Sequence, residues 1–393
     1  MKRFLRIPKI PLTPLFPLML LFAIALLAPI LSNNKPIAAW DQESGLRFPA
    51  LDERSPETYA SGTTWTFAIH PPIPWSPSDI DFQNAGQPPF SKSTAQPWYF
   101  THWLGTDEIG RDVLAHLIYG CRSSVLIALG AMAIALAIGL MLGAIGGYWH
   151  GINIRWSLLF LLFTGIAVLL LTNAVNVFNV QFGGIRSVLL SVIVGLMLLG
   201  ILKLIHYLIT RKLKARSFRF SAFRFSPDSA VLGLINFFTA IPAYFALLAM
   251  LALWPEPSAF SLSAILGLLM WPDLARLTRS SVIRLKNTGL AESAESLGYS
   301  PGRIMFVHLL PNALQPALAA LSFGIGGAIM AESFLSFVGI APAELVSWGT
   351  LLAKTRSYPD MWWLSVFPGL AILIAILSFY RLANQLEKMN IKL

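Results

Sequence analysis

Apolar stretches long enough to cross a membrane recur along this chain of 393 residues, and no other feature constrains its fold as strongly. A transmembrane helix needs about 20 predominantly apolar residues. Charged residues make up 12% of the chain, against roughly 25% in soluble domains. The sequence therefore predicts an all-α polytopic membrane protein with about eight transmembrane helices. The first ends at about Leu31, and the others cover about 121–147, 155–175, 186–210, 230–253, 262–282, 313–340 and 362–384.

The basic residues indicate which side of the membrane each loop occupies, because lysine and arginine concentrate in cytoplasmic loops. Four cations within the first ten residues place the N-terminus in the cytoplasm, before a retained first span rather than a cleaved signal peptide. Six cations and one acid, Asp228, lie in the loop at 211–229, which an even number of preceding spans also places in the cytoplasm. The same alternation leaves the C-terminus inside.

Residues 32–118 differ from the rest of the chain. They contain ten acidic and five basic residues, whereas the whole chain carries a net charge of +10. Their many prolines favour an irregular cap with short elements, which we expect to be external. The chain then divides into an N-terminus and first span at 1–31, the external loop at 32–118, a second span at 119–151, an insert of two spans and a basic loop at 152–229, and a further membrane core at 230–393.

The sequence lacks the residues that several functional classes require. The positive charge lies in predicted cytoplasmic loops, so it does not indicate nucleic-acid binding. Cys121 is the only cysteine, which excludes an intrachain disulfide and a multi-cysteine metal site. The chain contains no Gly-x-x-x-x-Gly-Lys-Ser/Thr phosphate-binding loop, and its histidines and acids do not pair at metal-ligand or catalytic spacing.

Two local patterns carry functional information. The string at 104–113 reads Leu-Gly-Thr-Asp-Glu-Ile-Gly-Arg-Asp-Val, in which glycine permits positive φ and aspartate bonds nearby backbone amides. The segment at about 286–312 predicts a short polar helix, a Gly-Tyr-Ser-Pro turn and a second short helix that ends at Pro311. A folded helix–turn–helix between apolar spans indicates a docking surface rather than a simple connector.

Together these patterns resemble permease subunits of ATP-binding-cassette (ABC) importers in the dipeptide, oligopeptide and nickel branch. The string at 104–113 is similar to the one before the second span of dipeptide permease C-like subunits, at Gly105, Thr106, Asp107, Gly110, Arg111 and Asp112. The segment at 286–312 resembles the coupling loop of the family, at Glu292, Ala294, Gly298, His308, Leu310 and Pro311. The long external loop looks most like the subgroup associated with oligopeptide-like microcin uptake.

The resemblance implies a six-span type I importer core, to which the insert at 152–229 adds two spans. It implies a non-catalytic subunit of the bacterial inner membrane that forms a heterodimer with a second related permease. Two ATPase subunits would use ATP and Mg, and an external binding protein would deliver peptides or related small solutes. The chain itself would bind no cofactor and no metal. Glu292 would contact the ATPase, Gly298 would allow the tight turn, and Pro311 would end the coupling helices.

Two patterns lie inside the predicted spans. One is a carboxylate with two candidate roles, and the other is a row of glycines that predicts helix packing. Glu332 is a carboxylate within an apolar span, where such groups are costly and usually face a partner or a wet cavity. It is a candidate pathway or gating residue, or else a structural group bonded to Ser333, Ser336 or a neighbouring helix. The spacing of four between Gly139, Gly143 and Gly147 predicts close approach of another helix.

Two other classes of membrane protein are alternatives. An ion-coupled secondary transporter would need intramembrane ionisable groups, for which Glu332 is the main candidate. An integral-membrane enzyme acting on lipid-linked substrates would need paired acids or histidine clusters at the membrane interface, and the sequence offers none.

Overall fold

The computed structural model describes residues 16–41, 45–48, 67–91, 101–152, 154–157, 222–252, 258–342 and 344–390. The chain divides into two compact units, one made of Met1–Tyr148 with Leu234–Leu393 and the other of Trp149–Gly233. The predicted span at 186–210, the span at 155–175 beyond residue 157, and the basic loop up to residue 221 lie outside the described residues.

Helices dominate the described residues. In chain order they are α1 (Phe16–Leu31), α2 (Val113–Tyr148), α3 (Pro227–Ala240), α4 (Ala243–Ala252), α5 (Ala259–Lys286), α6 (Leu290–Ser296), α7 (Pro301–Val338), α8 (Trp348–Ala353) and α9 (Trp363–Asn390). Among the described helices, α2, α5, α7 and α9 are long and apolar enough to cross a membrane, and α1 is a shorter apolar helix. The predicted all-α membrane fold is therefore confirmed.

Glycines bring α2 and α5 into close contact along the larger unit. A Cβ at Gly139 would lie 2.7 Å from Leu274 Cβ, and one at Gly147 would lie 2.7 Å from Val282 Cβ. A glycine of α5 also contacts α2, because a Cβ at Gly267 would lie 2.6 Å from the carbonyl oxygen of Ala131. The predicted packing of Gly139, Gly143 and Gly147 against another helix is confirmed, and α5 is that helix.

The single span predicted at 230–253 is wrong as one helix, because α3 and α4 are separated at Ile241–Pro242. Proline has no backbone N–H and its ring clashes with the preceding turn, so a helix ends readily before it. The carbonyl oxygen of Pro242 instead accepts from the amides of Phe245 and Ala246 and opens α4.

The cap between α1 and α2 contains short strands rather than a regular domain. β1 (Ala38–Asp41) pairs antiparallel with β2 (Gly45–Arg47) on one side and with β3 (Phe67–Ile69) on the other. A one-turn 3₁₀-helix follows at Phe82–Asn84. Ser32, directly after α1, donates its hydroxyl to the carbonyl oxygen of Trp75 at 2.6 Å and ties the cap to the end of that helix.

In the smaller unit, β4 (Ile154–Ser157) pairs antiparallel with β5 (Ala222–Phe225). The helical span predicted to begin at 155 is therefore wrong for its first three residues, which lie in a strand. The ladder pairs the backbone groups at both ends of residues 158–221. The residues that flank 158–221 are therefore neighbours within this unit.

Candidate functional site

The segment predicted as a coupling loop begins with α6 and a glycine-dependent turn. Gly298 has φ of +77°, and its amide donates to the carbonyl oxygen of Glu295 at 2.8 Å. The next amide, of Tyr299, donates to the carbonyl oxygen of Ala294 at 3.2 Å. This pair of bonds is a Schellman motif, which satisfies the free carbonyls at a helix end and requires a left-handed residue. Gly298 is therefore the residue that turns the chain after α6.

An aromatic stack holds the turn after Gly298. The Tyr299 ring lies 5.3 Å from the His308 ring at an interplanar angle of 10°. The Arg303 guanidinium lies 4.4 Å from the centroid of the Tyr299 ring, within the range of a cation–π contact. The Tyr299 ring thus fixes the turn to the second arm of the helix–turn–helix at two positions of α7. The resemblance drew attention to His308 but not to Tyr299 or Arg303, whose contacts become evident only in three dimensions.

Pro311 does not end the second helix of this segment, so that prediction is wrong. Helix α7 runs from Pro301 through Pro311 to Val338 without interruption. Its residues Ile304–Leu309 form a π-helical turn, and the amide of Leu310 bonds to the carbonyl oxygen of Met305. The wider turn admits the proline ring and shifts the register of the backbone bonds. The coupling segment is consequently continuous with a membrane-spanning helix.

The surface of this segment combines acidic and apolar side chains. Glu292 and Glu295 are exposed on α6, whereas Ala291 and Ala294 are buried beneath them. Leu297, Phe306 and Val307 are exposed large apolar residues of the same segment. We refer to these five exposed residues, Glu292, Glu295, Leu297, Phe306 and Val307, as the coupling face. Leu310 is half-buried and lies behind it on α7.

The coupling face is attached to the helix bundle at both ends. Three residues, Asn287 to Gly289, separate α6 from α5, and Lys286 at the end of α5 donates to the carbonyl oxygen of Tyr148 at 2.8 Å. A lysine at the C-terminal end of α2 donates to a carbonyl group that has no partner within the helix. Its positive charge also interacts favourably with the negative end of the helix dipole. A displacement of α6 would therefore act on α2, α5 and α7 together.

The string at 104–113 forms a folded junction between the cap and α2. Gly105 and Gly110 have φ of +82° and +90°, and a Cβ at Gly110 would lie 2.0 Å from the carbonyl oxygen of Asp81. Thr106 accepts the amide of Gln87 at 2.9 Å and donates its hydroxyl to the carbonyl oxygen of Asn84. The glycines and the threonine thus lock the string against the 3₁₀ segment of the cap.

The two aspartates of this junction have separate structural tasks. Asp107 accepts the amides of Ile109 and Arg111 at 3.0 and 2.8 Å and pairs with Lys354. Asp112 accepts the amide of Ala115 at 2.7 Å at the start of α2, a capping bond. Its second oxygen lies 2.8 Å from His102 Nδ1. The Arg111 side chain is partly buried in the same junction.

Sequence reasoning missed the partners that close this junction. Lys354 also lies 3.3 Å from Glu108, and His102 stacks on Trp75 with ring centroids 4.4 Å apart. Elsewhere in the cap, burial raises the pKa of Asp79, against hydrogen bonds from Ser76 and Asn34 that lower it. Lys354 is 247 residues from Asp107 along the chain, so no local pattern could have indicated the pair.

The structure places Glu332 in the interior of the larger unit, with none of its side chain exposed to solvent. Ser124 of α2 and Ser336 of α7 each donate a hydroxyl to it at 2.8 Å, and Ser333 does so at 3.4 Å. The two carboxyl oxygens of Glu332 thus serve as acceptors for three hydroxyl groups. These contacts link α2 to α7. They include Ser333 and Ser336, which the sequence analysis named as partners of Glu332 if its role is structural.

We expect Glu332→Leu to destabilise the protein by about 1–3 kcal/mol, because it leaves buried hydroxyl groups without their acceptor. Glu332→Gln keeps an acceptor oxygen and should recover most of the loss. Thermal melting of the purified protein measures both variants, and transport assays accompany it. Unchanged melting of Glu332→Leu together with altered substrate selection would instead assign the residue to the pathway.

Comparison with known proteins shows that these features lie in a region similar to a described family. Residues 219–390 match the family described as binding-protein-dependent transport system inner membrane component. The match covers less than half of this chain. The matched range includes the coupling face, Glu332, and helices α5 to α9.

Relatives extend the similarity to most of the chain. The dipeptide transport system permease protein DppC of Alkalihalophilus pseudofirmus is 26% identical over 288 residues, which cover 73% of this chain and 70% of the relative. DppC of Haemophilus influenzae is 25% identical over 316 residues, 80% of this chain and 81% of the relative. The oligopeptide transport system permease protein OppC of Bacillus subtilis is 24% identical over 307 residues, 77% of this chain and 72% of the relative.

These similarities agree with one another. The chain is similar over most of its length to permease proteins of dipeptide and oligopeptide transport systems, as the resemblance of its two sequence patterns indicated. Its relatives are transport permease subunits, which form a non-catalytic family.

Proposed function

We propose that this chain is one permease subunit of an ATP-driven ABC importer for peptides or related small solutes. The observation that carries the proposal is the coupling face, a rigid acidic and apolar surface that joins α5 and α7. The names of its relatives, which refer to dipeptide and oligopeptide transport, support a peptide substrate.

The proposed assembly has four kinds of component. A second related permease completes the pathway, and two ABC ATPases, which use ATP and Mg, bind at the coupling faces. An external binding protein delivers the solute to the cap side. Glu292 and Glu295 supply charge for a basic site on the ATPase, while Leu297 and Phe306 supply apolar contact.

The proposed mechanism follows from how α6 is connected to α5 and α7. Closure of the ATPases on ATP pushes α6, and the short connection at 287–289 transmits the push to α5. The continuous α7 and the Lys286 contact carry the same displacement to the rest of the bundle. Packed helices move as rigid bodies, so the push becomes the rocking motion of alternating access.

The test is reconstitution. The chain, a second permease and two ATPases in proteoliposomes should import peptide only with ATP and the binding protein, and the chain alone should hydrolyse no ATP. The expected result requires all of these components together. Peptide uptake driven by an ion gradient in the absence of ATP would support the alternative, an ion-coupled secondary transporter.

The proposed topology places 32–118 outside and places 211–229, 286–312 and both termini in the cytoplasm. The β4–β5 pairing supports it, since the strands that flank residues 158–221 are paired neighbours, as expected if both lie on one side of the membrane. After replacement of Cys121, Arg216→Cys should react with a membrane-impermeant maleimide only in permeabilised cells. Phe82→Cys, at an exposed cap position, should react in intact cells. Labelling of residue 216 from outside would refute this topology.

A further inference from the structure

A single charge lies in the groove between α1 and α2. Arg122 is the only Asp, Glu, Lys or Arg among the 36 residues of α2, and the 16 residues of α1 contain none. Its side chain is exposed. The groove beside it encloses about 230 Å³ and is otherwise lined by Phe22, Ala25, Leu26, Val125, Leu126 and Leu129.

Arg122 occupies a boundary along α2. A helix of 36 residues is about 54 Å long, whereas the hydrocarbon core of a bilayer is about 30 Å thick. Arg122 is near the cap end, and every residue from Ser123 to Tyr148 is uncharged. This uncharged stretch suffices to cross the membrane, so the arginine lies toward the headgroups of the cap-side leaflet.

Arg122 faces away from the polar interior of the bundle. Ser124, two positions on, points to Glu332 between α2 and α7. Two helical residues are about 200° apart, which directs Arg122 to the opposite side. Among the described residues, no carboxylate lies within ion-pair distance of its guanidinium. Arginine stays protonated in proteins, so the groove presents a permanent positive charge to its surroundings.

We infer that this groove binds an anionic phospholipid of the cap-side leaflet. The Arg122 guanidinium holds the lipid phosphate with paired N–H donors, a geometry that suits phosphate. One acyl chain lies along Leu126 and Leu129 against Phe22 and Leu26. The groove is larger than a cavity of about 150 Å³ that admits benzene, so it accommodates a segment of hydrocarbon chain. The long arginine stem permits the charged end to reach the headgroup level.

The chemistry of the groove selects this occupant. A zwitterionic lipid brings its own cation next to the phosphate, which opposes Arg122, whereas phosphatidylglycerol does not. Charge and apolar lining are adjacent here, as they are in a phospholipid. The inference concerns the lipid-facing side of the chain and is independent of the coupling mechanism proposed above.

The test measures lipid retention by the full-length protein. Wild-type protein and Arg122→Gln are purified from membranes, incubated with equimolar phosphatidylglycerol and phosphatidylcholine of matched chains, and analysed by native mass spectrometry. Wild type should retain phosphatidylglycerol preferentially. Arg122→Gln should retain about fivefold less of it, the change expected for one cation beside a charged headgroup. Arg122→Lys should retain an intermediate amount.

Two further variants separate the groove from general effects. Arg356→Gln is the control, because the Arg356 guanidinium is engaged by the carbonyl oxygens of Ala353 and Val338 near the same end of the bundle. It should retain phosphatidylglycerol as wild type does. Leu126→Trp fills the groove and should lower retention while Arg122 stays in place. Equal retention by wild type and Arg122→Gln, or no preference between the two lipids, would overturn the inference. So would loss of a bound second permease from Arg122→Gln with lipid retention unchanged.

Discussion

Glu292→Arg and Gly298→Val should each abolish peptide uptake while the protein still inserts into the membrane. Glu292 is exposed on the coupling face, so a reversed charge repels the proposed basic site without disturbing the core. Gly298 has φ of +77°, where a β-branched side chain is strongly disfavoured. No atom lies within 4 Å of a Cβ built there, so the effect would come from backbone strain and not from a clash. Valine would distort the Schellman turn and displace α6.

Matched variants make this prediction specific. Gly298→Asn should retain uptake, because asparagine tolerates the left-handed conformation at a helix end. Glu387→Arg, a charge reversal at an exposed carboxylate of α9 outside the coupling face, should also retain it. ATP-dependent uptake into proteoliposomes measures all four variants, and membrane fractionation controls for insertion. Normal uptake by Glu292→Arg and Gly298→Val would show that this loop does not couple ATP hydrolysis to transport.

The features that the sequence predicted well are those that a short stretch of chain determines. Four long helices follow from runs of apolar residues, and Gly139, Gly143 and Gly147 follow from a spacing that aligns them on one helix face. The positive φ of Gly105 and Gly110 accords with glycine in a turn. The resemblance also located Gly298, where the structure shows a turn that requires a left-handed residue.

Prolines show where sequence reasoning fails. Pro242 separates two helices, but Pro272, Pro316 and Pro368 lie inside continuous ones. The residue is the same in each case, and the outcome depends on whether neighbouring groups satisfy the backbone that proline leaves unpaired. Directly before Pro311 the helix forms a π-helical turn, and the helix predicted to end there continues. Such compensation depends on tertiary context that local patterns do not contain.

Local sequence patterns could not predict the polar pairs between distant residues either. Ser124 and Glu332 are 208 residues apart, and Trp363 donates its indole N–H to the carbonyl oxygen of Thr106 from 257 residues away. The sequence identified Glu332 as a carboxylate within an apolar span, and the resemblance named Thr106 in the string at 104–113. It could not identify which helices would supply their partners. The structural role of each residue follows from those partners.

Gly143→Ala should destabilise the protein by about 1–3 kcal/mol, the usual cost of overpacking a close-packed core. A Cβ at this position would lie 2.5 Å from the carbonyl oxygen of Ala275 and 2.7 Å from Thr278 Cβ. The first of these atoms belongs to the backbone of α5, so a rotamer change cannot relieve the clash. The two helices would have to separate, and Gly139 and Gly147 would lose their contacts with α5 as well.

Gly369→Ala provides the control for this effect, since no atom lies within 4 Å of a Cβ built at Gly369 in α9. Alanine is favoured over glycine within a helix by about 1 kcal/mol, so this variant should be neutral or slightly stabilised. Thermal melting of both purified variants measures the difference. Gly143→Leu should lower the yield of folded protein further, because a larger side chain forces α2 and α5 farther apart. Equal melting temperatures for Gly143→Ala and Gly369→Ala would mean that α2 and α5 do not pack as closely as the glycine contacts require.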